Sequence, residues 1–360
     1  MINKTIKMVG STLSLALVVA LATGVAPPAT AGELDGMTLR VGSWGGSWQG
    51  IQKDLIAKKL EAMGAKIEFV KGNPSSNLAK LIASRGGEAP FDVFEIIDAT
   101  LPSVMEGDFL QPLDYSLIPN AKYINKDRTR KKVVATWVTQ EGICYLSDKF
   151  KELGIDPPTT YADLANPKLE GRVMIPDFVS GGGLAMLSGF AFSQGGNIDN
   201  VKPGLDLVKK IKGVKFWKKG AQALTGMKSG DVYAAVIHGG WCIRAQKAGL
   251  KVATAYAKID ANTTGVVKQG WIGIVKGTKV SKAANMWINK FISAEFQVPF
   301  AKAKGAMPEN RMAAPKLEGD PLLKRLMILD PDKMDKMLRV DFSKVDTVAW
   351  GDQWTRAVAK

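Results

Sequence analysis

Five side chains that could bind a small molecule fall at the ends of predicted strands or in the turns that follow them. They are an indole, two carboxylates, a hydroxyl and an imidazole, in the order Trp44, Asp98, Asp177, Ser180 and His238. Open α/β sheets bind ligands at the edge where strands end and helices begin. Because the five residues come from two separate strand–helix units, two such units facing each other would close them around one solute.

The turn after the first predicted strand combines backbone donors with aromatic faces. Gly45 and Gly46 separate this strand from an amphipathic helix, and Trp44 and Trp48 lie in or beside the turn. The start of a helix presents free N–H groups, which suit an anion. Gly181 belongs to a second glycine-rich turn, for which we expect the same property. The alternative is that the two tryptophans only cap the edge of the sheet.

Two further tryptophans are placed to complete such a site. Trp241 begins a predicted helix just after His238, and Trp271 lies within a predicted strand that approaches from the side. Aromatic faces attract organic cations, and Asp98 or Asp177 would neutralise an ammonium group, since a buried charge needs a partner. We therefore expect an amine-containing solute, either a polyamine or a zwitterion such as an aminophosphonate. A purely anionic solute, a phosphonate or a carboxylate, is the alternative.

The residue inventory disfavours an enzyme. The chain has one histidine and two cysteines, too few for a zinc site of the usual ligands. It contains neither a G-x-S-x-G elbow nor a G-x-x-x-x-G-K-[ST] phosphate loop. We expect no metal and no cofactor. A secreted hydrolase that uses His238 as its base is the competing enzyme hypothesis.

The first 31 residues have the pattern of a secretory signal peptide. Lys4 and Lys7 precede a largely apolar run over residues 8–26, and small residues occupy positions 29–31. We expect cleavage near Ala31, so that the mature chain begins near Gly32 in the periplasm. No later segment approaches the roughly 18 apolar residues that a membrane span requires.

Charge and cysteine content leave two questions open. The formal net charge is +15, which could indicate a nucleic-acid or surface-binding protein. The basic residues are scattered, however, and the one dense run, residues 126–132, has no aromatic ladder beside it, so we expect a solvated face and no nucleic acid. An oxidising compartment permits a bridge between Cys144 and Cys242, but their apolar surroundings favour two buried free thiols.

At 360 residues the chain is long enough for two domains, and strands alternate with helices in two successive α/β units. The order of elements resembles that of periplasmic solute-binding proteins of ABC importers, closest to the group that binds spermidine, putrescine or iron. The resemblance is distributed over nearly the whole mature chain and is carried by LRVGSWGGSW, PFDVFEI, EGDFLQPLD, PTTYADLANPKLEGRVMIPD and GDVYAAVIHGGW.

This resemblance implies an α/β fold of two lobes, type II-like, each a mixed sheet flanked by helices. Residues 32–137 and 262–320 would form lobe 1, residues 138–261 lobe 2, and residues 321–360 helices that brace both. It also implies closure on the solute and delivery of the solute to a membrane permease, and we expect a monomer. Two departures argue against a polyamine: Gly273 stands where the polyamine binders have an acid, and His238 where they have an aromatic residue.

Overall fold

A single mixed β-sheet of eleven strands organises the protein. The computed structural model describes residues 1–2, 32–85 and 87–358, so the predicted signal peptide lies outside the described residues apart from its first two. The strands are β1 (Thr38–Ser43), β2 (Lys66–Lys71), β3 (Val93–Ile97), β4 (Leu110–Gln111), β5 (Val133–Leu146), β6 (Val173–Pro176), β7 (Lys215–Trp217), β8 (Ala234–His238), β9 (Val252–Ala255), β10 (Val266–Val275) and β11 (Ala306–Pro308).

Helices flank this sheet along the whole described chain. They are α1 (Gly46–Gln52), α2 (Lys58–Glu61), α3 (Pro74–Ala83), α4 (Leu101–Glu106), α5 (Ser147–Glu152), α6 (Gly183–Ser193), α7 (Lys202–Lys210), α8 (Gly220–Ser229), α9 (Gly239–Lys247), α10 (Ser281–Phe291), α11 (Ala294–Lys304), α12 (Pro321–Leu326), α13 (Pro331–Asp335) and α14 (Thr347–Val358). A π-helical turn, Lys53–Ala57, joins α1 to α2. No helix in the described ranges is long and apolar enough to cross a membrane.

Two long strands connect the halves of the sheet. The strand order is β2-β1-β3-β10-β5-β8-β6-β7, and β10 and β5 lie antiparallel at its centre. Strand β5 has fourteen residues, all buried. Residues 133–141 of β5 pair with β10, and residues 141–146 pair with β8 or β9. A fully buried strand of this length is the expected form of a crossing element, because both halves of the protein pack against it.

Three clusters of buried side chains form the core. The first gathers β1, β3, α10 and α11, the second β6, α6 and α7 with Trp350 and Trp354 of α14, and the third α9 and α12 with one face of β5. Gly32–Lys360 form one compact unit. The lobe boundaries that the sequence suggested, and the bracing role of residues 321–360, stay predictions.

Two local features are the cap of α3 and the state of the two cysteines. Asn73 caps α3, with its side chain accepting the backbone N–H of Ser76 at 2.8 Å and Pro74 opening the helix. The expectation of two free thiols was wrong, since Cys144 of β5 and Cys242 of α9 form a disulfide with Cα atoms 5.6 Å apart. Apolar surroundings are equally compatible with a buried bridge.

Candidate functional site

The largest group of predicted site residues meets in one cleft of about 670 Å³. Six of the ten line it: Trp44, Asp98, Ser180, Gly181, His238 and Trp241. The volume lies within the usual range for small-molecule sites, about 300–1,000 Å³. Residues from both halves of the sheet contribute, as expected for a site at the ends of strands from two α/β units.

One side of the cleft is a wall of three tryptophans, Trp44, Trp48 and Trp137, which we call the tryptophan wall. Trp44 directly follows β1, Trp48 lies in the first turn of α1, and Trp137 belongs to β5. The ring centroids are 5.0 Å apart for Trp44 and Trp48, 5.8 Å for Trp44 and Trp137, and 5.3 Å for Trp48 and Trp137. These are the tilted and edge-to-face arrangements that aromatic pairs prefer. The wall offers a rigid apolar surface.

Asp98 supplies the acidic group of the cleft. It follows β3, and its carboxylate accepts the backbone N–H groups of Ala99 at 2.8 Å and of Gln269 at 2.9 Å. Burial raises the pKa of Asp98 to about 6, although these hydrogen bonds and Lys268 act in the opposite direction. Each carboxylate oxygen retains acceptor capacity for an ammonium group.

The opposite side of the cleft is formed by the start of α9. Trp241 and Arg244 are three residues apart, hence on one helix face, and the guanidinium carbon of Arg244 lies 4.2 Å from the centre of the Trp241 ring. Gly220 makes room for this indole, since a Cβ there would lie 2.3 Å from the Trp241 Nε1. Gly240 allows α9 to approach the backbone of Lys304, whose carbonyl oxygen a Cβ would meet at 2.0 Å. The two glycines thus set the position of the stacked pair.

Arg244 is a half-buried cation with no acidic partner among the described residues. Burial lowers the pKa of its guanidinium, and no carboxylate counteracts this effect. The neighbouring His238 is held neutral, because burial, then Lys268 and then Arg244 lower its pKa well below 6.5. A buried charge without a partner is costly, and a bound anion would supply that partner for Arg244.

Lys268 of β10 is the second cation inside the cleft, but it is already bonded. Its Nζ donates to the carbonyl oxygen of Gly181 at 3.0 Å and lies 3.8 Å from the Glu141 carboxylate. Burial raises the pKa of Glu141, with Lys268 opposing the rise. Two exposed lysines at the rim, Lys218 and Lys219, add further positive charge. The lining thus carries four cations against the single carboxylate of Asp98.

Several backbone donors of the glycine-rich turn before α6 are already bonded. The N–H groups of Ser180 and Gly183 donate to backbone oxygens of the same turn, at 2.9 and 3.2 Å, and that of Gly182 donates to the Ser180 hydroxyl at 3.3 Å. Ser180 and Gly181 line the cleft, and the N–H of Gly181 donates to no acceptor among the described residues. The turn therefore keeps part of the donor capacity that we expected, and Arg244 is a second group of the lining that suits an anion.

Four predicted residues lie outside the lining of the cleft. Gly45 and Gly46 adjoin Trp44 with positive φ angles of 82° and 55°, which lets the chain turn directly from β1 into α1. Asp177 borders a separate groove beside Trp354. Trp271 lies in a neighbouring cavity, which Asp98 also lines, with Arg130 stacked 4.4 Å from its ring centre. The structure therefore does not place Asp177 and Trp271 in the lining of the cleft, and their roles in binding stay predictions.

Sequence reasoning missed several residues that line the cleft. They are Asn73, Trp137, Phe178, Trp217, Lys218, Lys219, Arg244 and Lys268. For Arg244 a signal was present, since it stands one helical turn after a tryptophan that the strand-end argument had already selected. For Trp137 and Lys268 no local signal existed, because both belong to the crossing strands and reach the cleft only through the pairing of β5 with β10.

Comparison with known proteins identifies the class. Residues 54–325 match the sequence profile of bacterial extracellular solute-binding proteins, and the chain belongs to this family. No curated protein matches its sequence significantly.

Solved structures share the fold over almost their entire length. An ABC transporter structure from Clostridium perfringens ATCC 13124 is 24% identical, with a TM-score of 0.73 over 89% of this chain and 99% of the other. The Atu4243–GABA receptor is 20% identical, with a TM-score of 0.73 over 90% and 98%. The spermidine/putrescine substrate-binding protein PotD from Streptococcus pneumoniae strain Canada MDR_19A is 17% identical, with a TM-score of 0.71 over 89% and 97%. The two-lobed fold of periplasmic binding proteins is thereby shown.

Proposed function

We propose that the protein is the periplasmic receptor of an ABC importer and that it captures a small zwitterionic or acidic organic solute in the cleft. In this proposal the chain is exported, cleaved near Ala31, monomeric and without catalytic activity, and it delivers the solute to a membrane permease. Support comes from the family and from a cleft of suitable volume that collects aromatic and charged groups from both halves of the sheet.

The observation that carries the choice of ligand is the half-buried Arg244, stacked on Trp241 without an acidic partner in the described part of the chain. A guanidinium binds carboxylates and phosphonates with charge-assisted, often paired hydrogen bonds. Asp98 on the other half of the sheet would receive an amine, and the tryptophan wall would cover the carbon chain between the two ends. GABA, the solute in the name of one structural neighbour, carries both groups.

A polyamine fits this cleft less well. It would bring two or more positive charges to a lining with four cations and one carboxylate, and like charges in a partly buried site repel strongly. The tryptophan faces and Asp98 are the features that favour an organic cation, and they make a polyamine the second candidate.

The proposal is tested by a thermal-shift screen of polyamines, ω-amino acids, carboxylates and phosphonates, since a bound solute raises the melting temperature. Hits are then titrated calorimetrically against Arg244→Gln and Asp98→Asn. Loss of a charge-assisted hydrogen bond of about 1.5–3 kcal/mol predicts that Arg244→Gln weakens an acidic or zwitterionic hit about tenfold to a hundredfold.

Arg172→Gln is the matched control. Arg172 is also half-buried and stacked on an aromatic ring, at 5.1 Å from Tyr233, but it does not line the cleft. Its variant should bind like the wild type. If only polyamines stabilise the protein and Asp98→Asn alone weakens them, the ligand is an organic cation and Arg244 does not select it. A complete absence of stabilising solutes would contradict the receptor function.

A further inference from the structure

A buried carboxylate lies behind the tryptophan wall. Glu95, in β3, has 1% of its surface exposed, and it does not line the cleft. Its Oε1 accepts the hydroxyl of Ser43 and the side-chain amide of Gln52, each at 2.8 Å. The Trp48 Nε1 donates to both oxygens, at 3.1 and 3.0 Å, and the Trp137 Nε1 donates to Oε2 at 3.4 Å.

We propose that Glu95 is a positioning residue that fixes the orientation of the tryptophan wall. This inference rests on the proposed function, because it gives the wall a solute to hold. An indole has one donor and no acceptor, so a shared acceptor restricts the rotation of Trp48 and Trp137 together. Trp44 has no bond to Glu95, but its ring packs on both of them. The hydrogen bonds of Glu95 thereby fix the orientation of the whole tryptophan wall, including Trp44.

The chemistry of this cluster explains why an acid occupies the position. Every side chain that hydrogen-bonds Glu95 does so as a donor. A carboxylate satisfies several donors at once, whereas an amide would turn an NH₂ group toward them and leave N–H groups without acceptors. An apolar residue would fill the space without fixing the ring planes.

The same geometry makes the wall sensitive to protonation. Burial raises the pKa of Glu95 to about 7, against the effect of its hydrogen bonds. The groups that face it come from β1, α1 and β5 (Ser43, Trp48, Gln52 and Trp137), and its register neighbour on β10 is Ile272. None of these groups is titratable. A change in the indole signals near this pH therefore reports on Glu95 itself.

The test is nuclear magnetic resonance of the indole N–H groups in the full mature chain, labelled with ¹⁵N and free of ligand. Trp48→Phe and Trp137→Phe assign the two signals. As the pH falls through about 7, the pKa of Glu95, both signals should move with one common midpoint. Trp217 and Trp350 donate their Nε1–H groups to the backbone oxygens of Val236 and Ile198, so their signals should stay constant and serve as internal controls.

Glu95→Gln should abolish this titration and should shift or broaden the Trp44 signal. If Glu95 only stabilised the core, the Trp44 signal would stay unchanged. Ser43→Ala, which removes a donor but no tryptophan bond, should preserve the titration. Wild-type Trp48 and Trp137 signals that do not move together would overturn the proposal, as would an unaltered Trp44 signal in a folded Glu95→Gln protein. The wild-type titration stands even if that variant does not fold. Because no ligand is present, a failure of the receptor function would not produce either result.

Discussion

The disulfide between Cys144 and Cys242 should contribute a large part of the stability of this protein. The two residues are separated by 98 positions, and the loop-closure entropy removed from the unfolded chain by a bridge of this length corresponds to about 5 kcal/mol at 25 °C. Typical domains have a total stability of about 5–15 kcal/mol. The bridge is removed in the double variant Cys144→Ala/Cys242→Ala. Alanine is chosen instead of serine because it places no hydroxyl in the apolar surroundings of the two residues.

The assay is equilibrium unfolding in urea, followed by circular dichroism. We expect the free energy of unfolding of the double variant to be lower than that of the oxidised wild type by about 3–5 kcal/mol. Wild type treated with dithiothreitol should approach the variant, whereas the variant itself should not respond to the reductant. A difference below about 1 kcal/mol, or two reactive thiols in the denatured oxidised protein, would refute the reasoning.

Three further predictions follow from the cluster behind the wall, the N-terminus and the fold. Because burial raises the pKa of Glu95 from 4.5 to about 7, the stability that this group contributes is complete below pH 4.5 and declines by about 3 kcal/mol as the pH rises to 7. Asp98 and Glu141, whose pKa values burial also raises, add to this decline, so urea unfolding across this range should show a decline that is smaller by about 3 kcal/mol in Glu95→Gln than in the wild type. N-terminal sequencing of protein from the periplasm should begin near Gly32, and a chain that starts at Met1 would contradict export with cleavage. Small-angle scattering should show a smaller radius of gyration with saturating solute, because the lining comes from both halves of the sheet; an unchanged radius would indicate a rigid site.

Strands with a local apolar pattern can be predicted from the sequence. The predicted strand that contains Trp271 is β10, and Asp98 directly follows β3, as expected for a residue at a strand end. The beginning of β5 has no such pattern, because residues 133–141 mix polar and apolar side chains although all of them are buried. Tertiary pairing, not local periodicity, makes them a strand.

Trp271 lies on the predicted strand, but it does not line the cleft. Successive side chains on a strand point to opposite faces. Lys268 lines the cleft, whereas Val267, Gln269 and Trp271 line the cavity on the other face of β10. The odd separation between 268 and 271 places Trp271 on the face of β10 opposite to Lys268. The sequence alone did not show which face of β10 was turned to the solute.

The charge that a solute needs in this cleft depends on which charged side chains of the lining lack a hydrogen-bond or ion-pair partner. The amino-acid composition alone does not show this. Lys268 is bonded to Gly181 and approaches Glu141, and the Asp98 oxygens each accept a backbone N–H. Arg244 has neither kind of partner in the described ranges. The sequence argument for an amine used Asp98 and Asp177 and left out Arg244. With Asp177 outside the lining of the cleft and Arg244 inside it, the unsatisfied charge is positive, which supports the proposed acidic group on the solute.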